Sequence, residues 1–261
     1  MFALKLLLSP ALIGVVSLAG RRWGPSVSGW LVGLPLTSGP VVFLLALDQG
    51  TTFAARAAQG TLLGLISVVS FCLVYCWCSF RLNWISSLLL GWCAFFIATA
   101  LLLHVMAPLL LIFACVIAFT ALALALLPRQ KKQVPAPLAP PWETPLRMVM
   151  AATFVVLITG ISSVIGPQLS GLLTPFPMFA SILGAFTHRF QGAEAARHSL
   201  SGVMIGSFAS SAFLVVVAGT LERLGIPLTF ALALLAIMLT QGCSFWFMQR
   251  HMNGKPGEHL S

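Results

Sequence analysis

Apolar runs broken by turn or charge signals divide the chain into nine candidate spans, near 3–20, 27–47, 57–79, 84–105, 108–127, 147–165, 170–187, 198–219 and 226–248. About 20 apolar residues carry an α-helix through the hydrocarbon core of a bilayer. The run 84–127 is too long for one crossing, and Pro108 supplies the turn that divides it. The first run, with Lys5 ahead of it and Ala19-Gly20 behind, has the outline of a signal peptide. Its correspondence to an internal span, described next, argues for retention.

The chain repeats itself at an offset of 142 residues, the distance from Gly24 to Gly166. Gly24-Pro25 returns as Gly166-Pro167, Ser28-Gly29 as Ser170-Gly171, and Gln49-Gly50 as Gln191-Gly192. Leu31, Pro35, Ala54, Gly60, Gly64 and Phe71 return as Leu173, Pro177, Ala196, Gly202, Gly206 and Phe213. Glycine and proline dominate these matches, and both record backbone geometry rather than greasiness. The expected organisation is a four-span repeat over 1–105, a reversal helix over 106–127, a basic proline-rich linker over 128–145, a second four-span repeat over 146–249 and a polar tail over 250–261.

Composition changes the picture only by fixing the solvent. Hydrophobic residues make up 59% of the chain and charged residues 7%, against about a quarter charged in soluble domains. The net charge of +9 then reflects cationic residues held on the cytoplasmic side, and nucleic acid is excluded as a partner. With nine spans, one side receives Arg21, Arg22, Arg81, Arg129, Lys131, Lys132, Arg147, Arg189, Arg197, Arg250 and Lys255; the other receives Lys5, Arg56 and Arg223. That split places the amino terminus outside and the carboxyl terminus in the cytoplasm. One span between two four-span repeats makes the second repeat enter from the opposite face, the inverted plan of many secondary transporters.

The run Gly171-Leu172-Leu173-Thr174-Pro175-Phe176-Pro177-Met178-Phe179-Ala180, continued by Gly192-Ala193-Glu194-Ala195-Ala196-Arg197 and Gly202, resembles the small GlpM-like bacterial inner-membrane proteins of about four spans. Repeat one keeps Gly29, Pro35, Gly50 and Gly60 but has Leu34-Pro35-Leu36-Thr37-Ser38 in place of the Phe-Pro core. The resemblance implies two such units fused around an extra helix, a bacterial inner-membrane location and a link to exopolysaccharide production. By analogy alone, the plan is similar to the drug and metabolite transporter superfamily.

Three groups of residues carry the candidate chemistry. Pro35 and Pro177 fall near the middle of the second and seventh spans, where proline frees a carbonyl that needs a protein, water or ligand partner. Thr37, Ser38, Thr174 and Ser181 set hydroxyls at the same depth, so these six residues form the expected solute site; the plainer reading is a pair of kinked, packed helices. Gly60, Gly64, Gly202 and Gly206 give the third and eighth spans small faces for close packing or sliding. Arg189, Glu194 and Arg197, with His188 and His198, crowd one loop at the cytoplasmic mouth, where they can hold an anionic head group or serve as an interfacial anchor. His104, near the outer end of the fourth span, is expected to pack.

The six cysteines lie in apolar runs without metal-ligand spacing, so no metal or other cofactor is expected. No span carries a central carboxylate, and no nucleophile or phosphate-loop motif is present, so an enzyme is not expected. The leading expectation is an all-α, nine-span permease or flippase for a weakly charged or amphipathic solute. The alternative is a non-transporting accessory protein of an envelope-polysaccharide machine. Membrane lipids, that solute, that machinery and a second copy of the chain are the partners these readings imply.

Overall fold

The computed structural model describes residues 14–16, 18–19, 21–23, 25–32, 34–35, 38–127, 142, 145–146, 148–150, 153 and 176–253, with side chains described only as far as 242. Most of the first and sixth predicted spans, the linker, the end of the tail, Thr37 and Thr174 lie outside them. Every described regular element is a helix: α1 (Pro25–Val32), α2 (Ser38–Asp48), α3 (Thr51–Cys78), α4 (Trp84–Leu102), α5 (Leu109–Ala125), α6 (Met178–Gln191) and α7 (Ala193–Asn253). Three of them, Thr51–Cys78, Trp84–Leu102 and Ala193–Gly242, are long and apolar enough to cross a membrane, and Leu109–Ala125 is a shorter apolar helix.

The second predicted span is two helices. Leu34 and Pro35 bend the chain, and the helix resumes at Ser38, with the Gly39 amide donating to the Pro35 carbonyl at 2.9 Å. Proline cannot donate to the turn behind it, which explains a break at that point. The next reversals have local causes as well. After Cys78, the Ser79 hydroxyl donates to the Cys76 carbonyl at 2.8 Å, and Asn83 caps α4 by accepting from the Ser86 amide at 2.9 Å.

α7 is two arms. At Gly225 the backbone leaves the helix with φ 72° and ψ 177°, a region essentially reserved for glycine, and Pro227 sits in the first turn beyond, where its missing N–H does no harm. Phe213 and Phe230, 17 residues apart, have ring centroids 6.0 Å from each other, whereas a straight helix would separate them by about 25 Å. The chain therefore doubles back, as the separate eighth and ninth spans require. Thr220 Oγ1 donates to Thr229 Oγ1 at 3.3 Å across the hairpin.

The centre of the molecule is α3 lying antiparallel against the first arm of α7. One core cluster joins Ala54, Ala55, Ala58 and Leu62 to Phe213, Leu214, Val217 and Leu221. The other joins Phe71, Cys72, Tyr75 and Cys76 to Ala196, Leu200, Val203 and Met204. The beginning of each helix meets the end of the other. Around this pair, α1 packs on α7, α2 on α3, α4 on α3 and α6 on α7. Helix α5 is buried along one side. Ile112, Val116, Thr120 and Ala123 form a buried stripe at helical spacing seated on both α3 and α7. Its opposite face exposes Leu110, Leu111 and Leu122, and α4 exposes Leu89, Leu90, Ile97 and Leu101. Apolar surface of that extent suits hydrocarbon rather than water.

Glycines on these helices differ sharply in what they permit. A Cβ on Gly91 would stand 2.8 Å from the Phe71 ring and 3.4 Å from its carbonyl oxygen, and Phe71 is fully buried. Gly91→Ala is therefore expected to destabilise by about 1–3 kcal/mol through overpacking. Gly60→Ala meets no described atom within 4 Å and is expected to be neutral or to gain up to about 1 kcal/mol from helix propensity. Thermal unfolding of the two variants in detergent checks the contrast.

Candidate functional site

Helices α3 and α7 are each introduced by a glycine in the same positive-φ conformation. Gly50 has φ 87° and ψ 167°; Gly192 has φ 93° and ψ 169°. The Ala54 amide donates to the Gly50 carbonyl at 3.2 Å, and the Ala196 amide to the Gly192 carbonyl at the same distance. A single such residue turns α2 into α3 and α6 into α7 without a loop. The 142-residue offset between Gly50 and Gly192 is thus repeated in the backbone.

At the second of these turns the end of α6 and the start of α7 bring their polar side chains together. Glu194 lies in the first turn of α7, where a carboxylate is favoured. Arg197, one turn on, is 7% exposed. Its Nη2 donates to Glu194 Oε2, its Nε to the Ala193 carbonyl at 3.3 Å, and its guanidinium lies 3.8 Å from the centroid of the Phe80 ring. His198 Nε2 is 3.9 Å from Glu194 Oε1. Arg189 lies over Phe190 at 5.7 Å. The Arg197 charge is buried beside Phe80, in the turn after α3, and so does not stand as a solvated anchor.

The same cluster reaches the far helix through Tyr75, the only tyrosine of the chain. Tyr75 is fully buried, and its hydroxyl shares a hydrogen bond of 3.2 Å with His188 Nδ1. Repeat one has no counterpart: Ala46, Thr52, Ala55, Arg56 and Val217 stand where symmetry would put His188, Glu194, Arg197, His198 and Tyr75. The two ends of the paired helices share a backbone turn, and among the described residues the arginine and tyrosine contacts are at one end.

His188 lies just beyond the seventh predicted span. Burial first, then the Arg197 cation, lowers its pKa from the ordinary 6.5. Tyr75 on α3 and Arg197 on α7 act on it. Below pH 6.5 the unfolded chain takes up a proton that the folded protein resists, so this contribution lowers stability as pH falls from that value. Unfolding followed from about pH 7.5 to about pH 5.5 should show a loss that is smaller in His188→Gln.

The expected solute site is only partly assembled among the described residues. Pro35 is buried and Ser38 half-buried at the break in the second span. Pro177 immediately precedes α6, and the Ser181 amide donates to its carbonyl at 2.7 Å. The Ser181 hydroxyl accepts from Trp92 Nε1 at 3.0 Å, so it already has a partner on α4. Phe176 is boxed by Trp92, Phe95 and Phe96, with centroids 5.9, 5.4 and 6.0 Å away. Of the four packing glycines, Gly64, Gly202 and Gly206 are buried, while Gly60 is half-exposed with open space beside it. His104 was expected to pack; it is exposed in the turn after α4, because the helix ends at Leu102.

Sequence reasoning missed Tyr75, Phe80, Trp92 and Gln241. The unique tyrosine inside an apolar span and the amide inside the ninth were the available signals. Comparison of the chain with protein-family models, with curated proteins and with solved structures gives no match.

Proposed function

We propose that this chain is a small secondary permease or flippase of the bacterial inner membrane. It carries a weakly charged or amphipathic solute by alternating access between two inverted four-helix repeats. The observation that carries this reading is the antiparallel pairing of equivalent helices. α3 and the first arm of α7 begin at matched glycines and bury matched residues, Ala54 with Ala196 and Phe71 with Phe213, against each other's far ends. Two copies of one unit facing opposite ways can rock about a shared seam.

The other features take places in that scheme. The interrupted helix at Pro35 and the helix beginning after Pro177 frame the midplane. The Arg197–Glu194 and Tyr75–His188 contacts tie the repeats at the cytoplasmic end, and their absence at the outer end lets the two mouths differ in stability. The nine-span count, with the amino terminus outside, gives the repeats their opposite directions. The GlpM-like resemblance suits this plan and also the rival reading, an accessory protein of an envelope-polysaccharide machine.

Two-sided thiol labelling separates the readings. A cysteine at Ser38 and, separately, at Ala180 is introduced into a cysteine-free protein and exposed to an impermeant reagent from each face. Alternating access predicts labelling of one site from either face. Labelling from neither face marks a permanently packed midplane and favours the accessory role.

A further inference from the structure

Gln241 lies in the second arm of α7, inside an apolar run. It is 9% exposed, and among the described residues neither its Nε2 nor its Oε1 has a hydrogen-bond partner. An amide buried in that way is costly, more so at membrane depth where water does not compensate. A glutamine at that depth ordinarily bonds to a neighbouring helix.

Helical phase shows which way it faces. Phe230, Ala233, Ile237 and Gln241 recur at spacings of three and four and so share one face. Phe230 meets Phe43 of α2 with centroids 5.0 Å apart, and Ala233 and Ile237 join the core cluster that also holds Val42 and Ala46 of that helix. Gln241 lies about 16 Å further along this face from Phe230. Traced back from Phe43, α2 reaches its start at Ser38 after five residues, about 7.5 Å, with the bend at Leu34–Pro35 beyond it.

The internal repeat shows that the tie made at the equivalent place in repeat one is not made here. The residue 142 positions earlier is Thr99, which donates to Ser67 Oγ at 2.9 Å and joins α4 to α3. In repeat two the place of Ser67 is taken by Ala209, which offers no side-chain acceptor. The tie is absent, and the larger side chain keeps both its donor and its acceptor open.

We infer that Gln241 is the hydrogen-bonding anchor of the solute, and that the solute is a neutral molecule presenting a donor and an acceptor side by side, as carboxamides, ureas and polyols do. This deepens the permease reading and rests on it. Nε2 donates to the solute's acceptor, and Oε1 accepts from its donor.

The test uses the full chain with Gln241→Leu and Gln241→Asn, in detergent and in proteoliposomes, with acetamide, urea and glycerol as probes. Gln241→Leu is expected to raise the melting temperature by about 2–6 °C, since it removes an uncompensated amide. It should also cut uptake of at least one probe by about tenfold, with Gln241→Asn between the two. A lower melting temperature, or uptake equal to the unmodified protein, overturns the inference. The Ser38 cysteine, labelled in the same preparations, keeps the two failures apart. Labelling from both faces with no probe crossing refutes the neutral-solute assignment and leaves the permease standing. Labelling from neither face removes the permease reading and this inference with it.

Discussion

Glu194→Ala should lower the stability of the protein by about 3 kcal/mol, and by more than the loss of its partner does. The asymmetry follows from where the two charges lie. The Arg197 side chain is 8% exposed and that of Glu194 31%. Removing the carboxylate leaves a buried guanidinium facing one anion fewer, and several kcal/mol is the usual consequence when the partner of a buried charge is deleted. Arg197→Met keeps an apolar stem against Phe80 and leaves a carboxylate that can reach water and the amino-terminal end of α7. That variant is expected to lose about 1 kcal/mol. The double variant should be more stable than Glu194→Ala alone, because the stranded cation is gone. Apparent melting temperatures of the three proteins in one detergent decide the matter. Additive losses would mean that the pair is solvated and only an interfacial anchor.

The second large effect is at the two turns. Gly50→Ala and Gly192→Ala should each cost about 2 kcal/mol. At both sites a Cβ would meet nothing within 4 Å, so the cost is purely that of the backbone. The φ values of 87° and 93° lie in territory that L-residues with side chains avoid. Equal losses are the signature of equivalent turns. If Gly192→Ala were harmless while Gly50→Ala was not, the two turns would differ in the folded protein despite their shared sequence.

Local causes were readable in the chain because they depend on neighbours a few residues away. Pro35 breaks the second span, Pro108 starts α5, and the Gly225–Pro227 step turns α7 back on itself. The matched Gln-Gly pairs were legible as repeats, but the helices that follow them start at Thr51 and Ala193, ahead of the predicted limits 57 and 198. Contacts set by the pairing of distant helices were not readable. Tyr75 meets His188 across 113 positions, and Trp92 meets Ser181 across 89. Nothing in the spacing of Arg197 and Glu194 said that the arginine would be covered by Phe80, since that depends on α3 ending beside the start of α7. The buried stripe on α5 was hidden because all sides of that helix are apolar, so its sequence contains no contrast to reveal which face is covered.

If the two halves of the chain face opposite ways, the two glutamines of the Gln-Gly turns stand on opposite sides of the membrane. Gln49→Cys and Gln191→Cys, each as the single thiol in a cysteine-free protein in sealed vesicles, are offered an impermeant reagent from one face and then the other. Gln49 is exposed and Gln191 half-exposed, so both can react. The account predicts that position 49 is labelled only from outside and position 191 only from the cytoplasmic side. Labelling of both from the same face would contradict it, and the repeat would then be a parallel duplication with no alternating seam.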